Sequence, residues 1–172
     1  MRFYSGFSLK NDRRFFDRFL KLSDYTVAGF SYGAIKAAHY AANADHRIDT
    51  LQLFSPAFFQ TKKESFRRLQ MGGYLKDPSE YLHLFWENCF APCPVETVET
   101  DPDADAEQLR ELLYFEWSAE LMENIRAKGT RIEVYLGLED RIIDVAGARE
   151  FFIPYATVTS MNGANHFLME CR

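Results

Sequence analysis

The chain has 172 residues, 47% of them hydrophobic and 16% aromatic, with a formal net charge of -5. That length and apolar content suffice for one packed domain and exclude a disordered chain. The acidic balance argues against general nucleic-acid or membrane-surface binding, and no apolar run is long enough to cross a bilayer.

Short apolar runs alternate with helical patterns, which predicts an α/β chain with a mainly parallel sheet flanked by helices. Arg2 to Tyr4 reads as a first strand ending at Ser5-Gly6. Asn11 to Leu22 reads as an amphipathic helix, with Phe15, Phe16, Phe19 and Leu20 on one face and Asn11 or Asp12 as its cap. Tyr25 to Phe30 is a strand, Gly33 to Ala44 an Ala-rich helix, and Ile48 to Phe54 a strand stopped by Ser55-Pro56. Phe58 to Phe90 carries basic residues, large aromatics and a Gly72-Gly73 break. Pro92, Pro94 and the stretch Glu96 to Glu107 read as an exposed loop. Ala106 to Lys128 reads as one long helix stopped at Gly129. Arg131 to Leu136 is a strand, Asp144 to Phe152 a helix and Ala156 to Ser160 the last of about five parallel strands. The chain is read as one domain over 1–172 with a short helical lid inserted at about 57–105.

Three cysteines, Cys89, Cys93 and Cys171, form an odd set behind an opening that lacks a signal-sequence core. They are expected to be free thiols in a reducing compartment, and the protein is expected to be cytoplasmic. Cys89 and Cys93 lack the second pair a zinc site needs, so no metal is expected.

Gly29-Phe30-Ser31-Tyr32-Gly33 matches the G-x-S-x-G nucleophile elbow, with an apolar strand before it and a small-residue helix after it. The sharp turn needs small residues at 29 and 33 so that strand and helix can meet. It would present the Ser31 hydroxyl above the sheet, with the Tyr32 N–H at a helix N-terminus as an oxyanion donor. The bland alternative is a Gly-rich turn with Ser31 as a helix cap. The Phe7 N–H, after Ser5-Gly6, is the candidate second donor, weighed against a simple turn.

A serine nucleophile needs a base and a carboxylate that orients it, in the chain order Ser, acid, His. Of the four histidines only His166 follows the last strand; His39 and His46 read as surface residues and His83 as part of the lid. Asp140, at a strand end, is the candidate acid. Asp144 is the alternative acid, or the cap of the next helix, and Glu139 is expected to face solvent.

At these residues the chain resembles the α/β-hydrolase superfamily. More narrowly it is similar to the compact, BioV-type pimeloyl-[acyl-carrier protein] methyl ester esterases of biotin synthesis. The similarity runs through Met1-Arg2-Phe3-Tyr4-Ser5-Gly6-Phe7, Gly29 to Ala37, Leu53-Phe54-Ser55-Pro56, Phe66-Arg67-Arg68-Leu69-Gln70, Lys76-Asp77-Pro78, Ile132 to Asp140, Glu150-Phe151-Phe152-Ile153-Pro154 and Asn165-His166. It implies a compact α/β-hydrolase fold and hydrolysis of a methyl ester carried on acyl carrier protein. It implies Ser31 as nucleophile, His166 as base and Asp140 as acid; no cofactor is expected, and the protein is expected to be a monomer. Phe7 stands where larger relatives carry Trp. A general short-chain esterase or thioesterase with the same triad is the alternative function.

Lys62, Lys63, Arg67 and Arg68 make a basic patch on an acidic protein. It reads either as a docking face for an acidic carrier or as a solvated helix face. Phe58, Phe59, Phe85, Trp86 and Phe90 either line a channel for methylenes or pack the lid on the core.

Overall fold

In the computed structural model, which describes residues 1–171, two strands are buried at every position. They are β3 (Thr26–Phe30) and β4 (Thr50–Phe54). Such strands need cover on both faces, which a parallel sheet with crossover helices provides. The sheet runs in the order β1-β3-β4-β6-β7 with every pairing parallel, where β1 is Arg2–Tyr4, β6 Arg131–Gly137 and β7 Thr157–Met161. All five strands therefore end on one edge, where an open α/β sheet builds its sites.

On one face, α1 (Tyr32–Asn43) presents Ala34, Ala37, Ala38 and Ala41 inward. These methyl-sized residues let it lie close to β3 and β4, with α5 (Ala119–Ala127) beside it. α6 (Val145–Phe152) covers β6 and β7 on Ala148 and Phe152. The other face is aromatic: Phe16 sits 4.8 Å from both Phe30 and Phe54 by ring centroids. Between β4 and β6 the chain adds α2 (Glu64–Lys76), α3 (Pro78–Phe90) and α4 (Ala106–Tyr114), with α2 against both others.

Five expectations need correction. Residues 11–22 form only a 3-10 turn over Asp12–Phe16, because the aromatics point to separate partners. Phe15 meets Phe90 and Phe167, Phe16 meets Phe54, and Phe19 meets Tyr135. One straight helix face could not serve all three.

The long helix over 106–128 is two helices. Trp117 turns inward between them; its indole N–H donates to the Ala57 carbonyl at 2.8 Å, and its backbone N–H donates to Gln60 Oε1 at 2.8 Å. Ser118 then caps α5. Gly72-Gly73 does not break α2. The break falls at Asp77-Pro78, where Asp77 caps α3 and Pro78 opens it. Within the expected exposed loop, β5 (Glu99–Thr100) pairs antiparallel with β2 (Leu9–Lys10).

The fifth correction concerns the thiols. Cys93 and Cys171 form a disulfide, with Cα atoms 5.5 Å apart and a sequence separation of 78. Only Cys89 is free, and it is buried. The chain fold decides this pairing, which removes the odd-cysteine premise for a reducing compartment. Among the described residues no helix is long and apolar enough to cross a membrane.

Candidate active site

The elbow is as tight as its glycines require. A Cβ on Gly29 would lie 2.2 Å from the Gly33 carbonyl oxygen, and one on Gly33 would lie 2.1 Å from the Tyr4 carbonyl oxygen. Strand, helix and the end of β1 thus meet at contact distances that only glycine allows. Ser31 sits between them at φ 51 and ψ -112, in the sparsely populated positive-φ region. Its backbone is pinned on both sides: its N–H donates to the Phe54 carbonyl at 2.9 Å, and its carbonyl accepts from Ala57 at 3.2 Å. No side-chain cap bond forms to α1, so Ser31 does not act as an ordinary helix cap.

Asp140 and His166 come from the ends of β6 and β7 and meet across the edge. His166 Nδ1 lies 2.6 Å from Asp140 Oδ2, and their side chains are 1% and 0% exposed. Because a carboxylate only accepts, Nδ1 donates to it, which in the neutral imidazole leaves the lone pair on Nε2. Nε2 has no partner among the described residues. The imidazole packs on Phe30, the residue before Ser31, at 4.9 Å between ring centroids. The second Asp140 oxygen accepts from the Ile142 N–H at 2.7 Å and the Ile143 N–H at 3.3 Å. The carboxylate is therefore fixed independently of the ring.

Asp144 stands apart from this pair. It caps α6 through the Gly147 N–H at 3.1 Å and accepts from the Thr61 hydroxyl at 2.6 Å. Those bonds, the Thr61 one foremost, hold its carboxyl below the usual carboxylate range. Glu139 is exposed, as are His39, His46 and His83.

The Tyr32 N–H opens α1, one of the donors a helix start leaves without an internal partner. The Tyr32 hydroxyl donates to Glu111, and burial first, then Glu111, raises its pKa. Phe7 is buried against Tyr74 and Phe85, and no acceptor takes its N–H among the described residues. Both candidate oxyanion donors thus lie beside the elbow.

The basic residues do not act as one patch. Arg67 is largely buried: its guanidinium donates to the Phe59 carbonyl at 3.1 Å and lies 5.2 Å over the Tyr114 ring. Arg68 is 77% exposed and bonds Glu64 at 3.1 Å. Lys63 is exposed, and Lys62 is half-buried against Phe66. Lys62 also lines a cavity of about 440 Å³ between α2, α3, α4 and the 141–142 turn. Phe59, Phe66, Phe85 and Leu113 supply its apolar wall, and among the described residues Lys62 and Arg141 are its only charged lining. Phe58 and Phe90 pack in the core, whereas Phe59 and Phe85 face this cavity. Trp86 is half-buried beside Cys89 and Phe90 and does not line it.

Sequence reasoning missed two residues here. Asn165 is fully buried; its amide donates to the Phe90 carbonyl at 2.6 Å and its oxygen accepts from the Phe167 and Met169 N–H groups. It ties the His166 turn to the end of α3. Asp12 accepts from the Gly6 N–H at 2.8 Å beneath the Phe7 turn. Asn165 was findable as the neighbour of His166; Asp12 stood in the sequence only as a candidate cap of the 11–22 helix, and it accepts from Gly6 instead.

Solved structures share this architecture. MenH from S. aureus matches at TM-score 0.60 and 15% identity, over 95% of this chain and 85% of its own. BioG from Haemophilus influenzae matches at TM-score 0.59 and 11% identity, over 96% of this chain and 87% of its own. The chain has an α/β-hydrolase fold. Naproxen esterase from Bacillus subtilis shares it at TM-score 0.58 and 15% identity, over 83% of this chain. The chain spans only 53–57% of the length of the carboxylesterases it matches. No protein-family model and no curated protein matches the sequence.

Proposed function

We propose that the protein is a serine carboxylic ester hydrolase, with Ser31 as nucleophile, His166 as general base and Asp140 as the carboxylate that orients it. The observation that carries this reading is the buried Asp140–His166 pair, whose ring keeps Nε2 free and packs on Phe30, the residue before the positive-φ Ser31. In the proposed cycle, Nε2 takes the Ser31 proton as Oγ attacks the ester carbonyl. The Tyr32 and Phe7 N–H groups receive the oxyanion. His166 then passes the proton to the departing alkoxide, and water repeats the sequence to free the acid.

For the substrate we propose the methyl ester of a seven-carbon acyl group on acyl carrier protein. The sequence resemblance motivates it, and the apolar cavity beside the 141–142 turn supports an acyl chain. Lys62 and Arg141 suit an anionic group, and the exposed Lys63 and Arg68 suit an acidic carrier. A short-chain esterase or thioesterase would use the same triad and differ only in this outer recognition.

The test has two arms. A fluorophosphonate should label Ser31, and Ser31→Ala should remove both labelling and ester hydrolysis while the protein stays folded. Methyl pimeloyl-carrier protein should lose the mass of a methylene on incubation with the wild type. Turnover of small esters without that mass change would leave the general esterase.

A further inference from the structure

We propose that Asp12 is a positioning residue, whose carboxylate holds the Ser5-Gly6-Phe7 turn so that the Phe7 N–H points to the oxyanion. This rests on the serine hydrolase reading above. Asp12 lies outside every motif, five residues beyond Phe7, yet only 1% of it is exposed. Its Oδ2 accepts from the Gly6 N–H at 2.8 Å. That bond occupies the donor just before Phe7 and leaves the Phe7 N–H free.

Apart from the buried Phe7 ring, the turn is held through its backbone. Gly6 abuts the Phe30 ring, where a Cβ would come within 2.8 Å, so no side chain can anchor it there. Its Gly6 carbonyl accepts from the Leu9 N–H at 3.2 Å, and Ser8, at φ 57, meets the Asp101 N–H at 3.0 Å through its carbonyl. The turn leans on the elbow itself: a Cβ on Gly33 would lie 2.5 Å from the Ser5 carbonyl oxygen. A small movement of Gly6 therefore shifts the Phe7 N–H relative to Ser31.

The carboxylate is a costly way to hold a turn. Asp12 Oδ1 has no partner among the described residues, and the nearby arginines pair elsewhere, Arg13 with Asp17 and Arg14 with Glu96. Burial pushes the Asp12 pKa up, and the Ser5 hydroxyl and the Gly6, Asp12 and Arg13 N–H groups do not cancel that. A buried, half-satisfied carboxylate is disfavoured for stability and is typical of a group kept for function.

The test compares wild type, Asp12→Ala and Asp12→Asn in the full chain, with p-nitrophenyl butyrate as substrate and phenylboronic acid as a tetrahedral-adduct probe. Asp12→Ala should lower kcat at least ~10-fold, a fraction of what losing a whole oxyanion donor costs, with KM within about twofold. Boronate affinity should fall in parallel. Asp12→Asn keeps an acceptor for Gly6, so it should retain most of kcat and melt no lower than wild type at pH 7. If Asp12→Ala does not fold, Asp12→Ser, too short to reach Gly6, takes its place. Wild-type kcat in the shortened variant, a loss confined to KM, or unchanged boronate affinity would overturn the proposal. A wild type that neither labels with fluorophosphonate nor turns over the ester would overturn the hydrolase reading, and this inference with it.

Discussion

Asp140 and Asp144 lie four residues apart and do opposite work. Asp140 spends one oxygen on the His166 ring and the other on two backbone N–H groups. In Asp140→Asn the amide NH2 would face the ring, force Nδ1 to accept and put the proton on Nε2. The base would then hold the wrong tautomer, and kcat should fall on the order of 10⁴-fold with the melting temperature little changed. Asp144→Ala should do the reverse: full activity, and stability lower by about 1 kcal/mol from the lost cap. The folded-state pKa of Asp144 is depressed, so its contribution is present above the unfolded carboxylate pKa and fades as pH falls through the folded value. Thermal melts of wild type and Asp144→Ala at neutral and acid pH should therefore converge on acidification. Divergence would mean the carboxylate of Asp144 is not what pins Thr61.

At the scale of elements, the turn carrying His166 is fastened to α3 rather than to the sheet alone. The Phe90 carbonyl takes the Asn165 amide, and the Phe90 and Phe167 rings stack at 4.4 Å. The Cys93–Cys171 bond closes the same junction just beyond α3. Asn165→Ala leaves one buried carbonyl and two backbone N–H groups unpaired, which should cost about 2–4 kcal/mol. Activity should fall as well, because the ring loses its seat, whereas His83→Ala on the exposed side of α3 should change neither. Melting curves and kcat for the two variants decide this. Trp117 is the second such fastening. Trp117→Phe keeps the apolar bulk but abandons the Ala57 carbonyl, and chemical denaturation should show a loss of about 1–3 kcal/mol.

Across the whole molecule, the disulfide and the charge distribution set the remaining expectations. A bond between residues 78 apart restricts the unfolded chain, so reduction should lower stability by about 4 kcal/mol in the loop-entropy account. Melts with and without dithiothreitol, checked against a Cys93→Ser, Cys171→Ser double variant, measure it. For the proposed carrier, the exposed cations are the ones to reverse. Lys63→Glu with Arg68→Glu should lower kcat/KM for a carrier-linked ester about 10-fold at low salt and spare p-nitrophenyl butyrate, with the gap closing as salt rises. Arg67→Glu should instead lower the melting temperature and impair both substrates, since its guanidinium holds the Phe59 carbonyl. Equal loss on both substrates from the exposed pair would remove the carrier as its partner.

The amino-acid order by itself determined the alternation of strands and helices, the elbow with its two obligatory glycines, and the candidates Ser31, Asp140 and His166. Those signals are local: periodicity, small residues at a tight turn, and a fixed chain order of chemical groups. Only the tertiary structure decided what depends on partners distant in sequence. It bent the helix at Trp117 because an indole N–H needed the Ala57 carbonyl, sixty residues away. It shortened the 11–22 segment because its aromatics face different neighbours. It separated Asp140 from Asp144, since a His at the end of β7 can meet only one of them. It paired Cys93 with Cys171, drew Arg67 out of the surface patch, and set Asp12 under the Phe7 turn. Each of these rests on burial or on a hydrogen-bond partner brought close by folding, and neither is written in the spacing of residues along the chain.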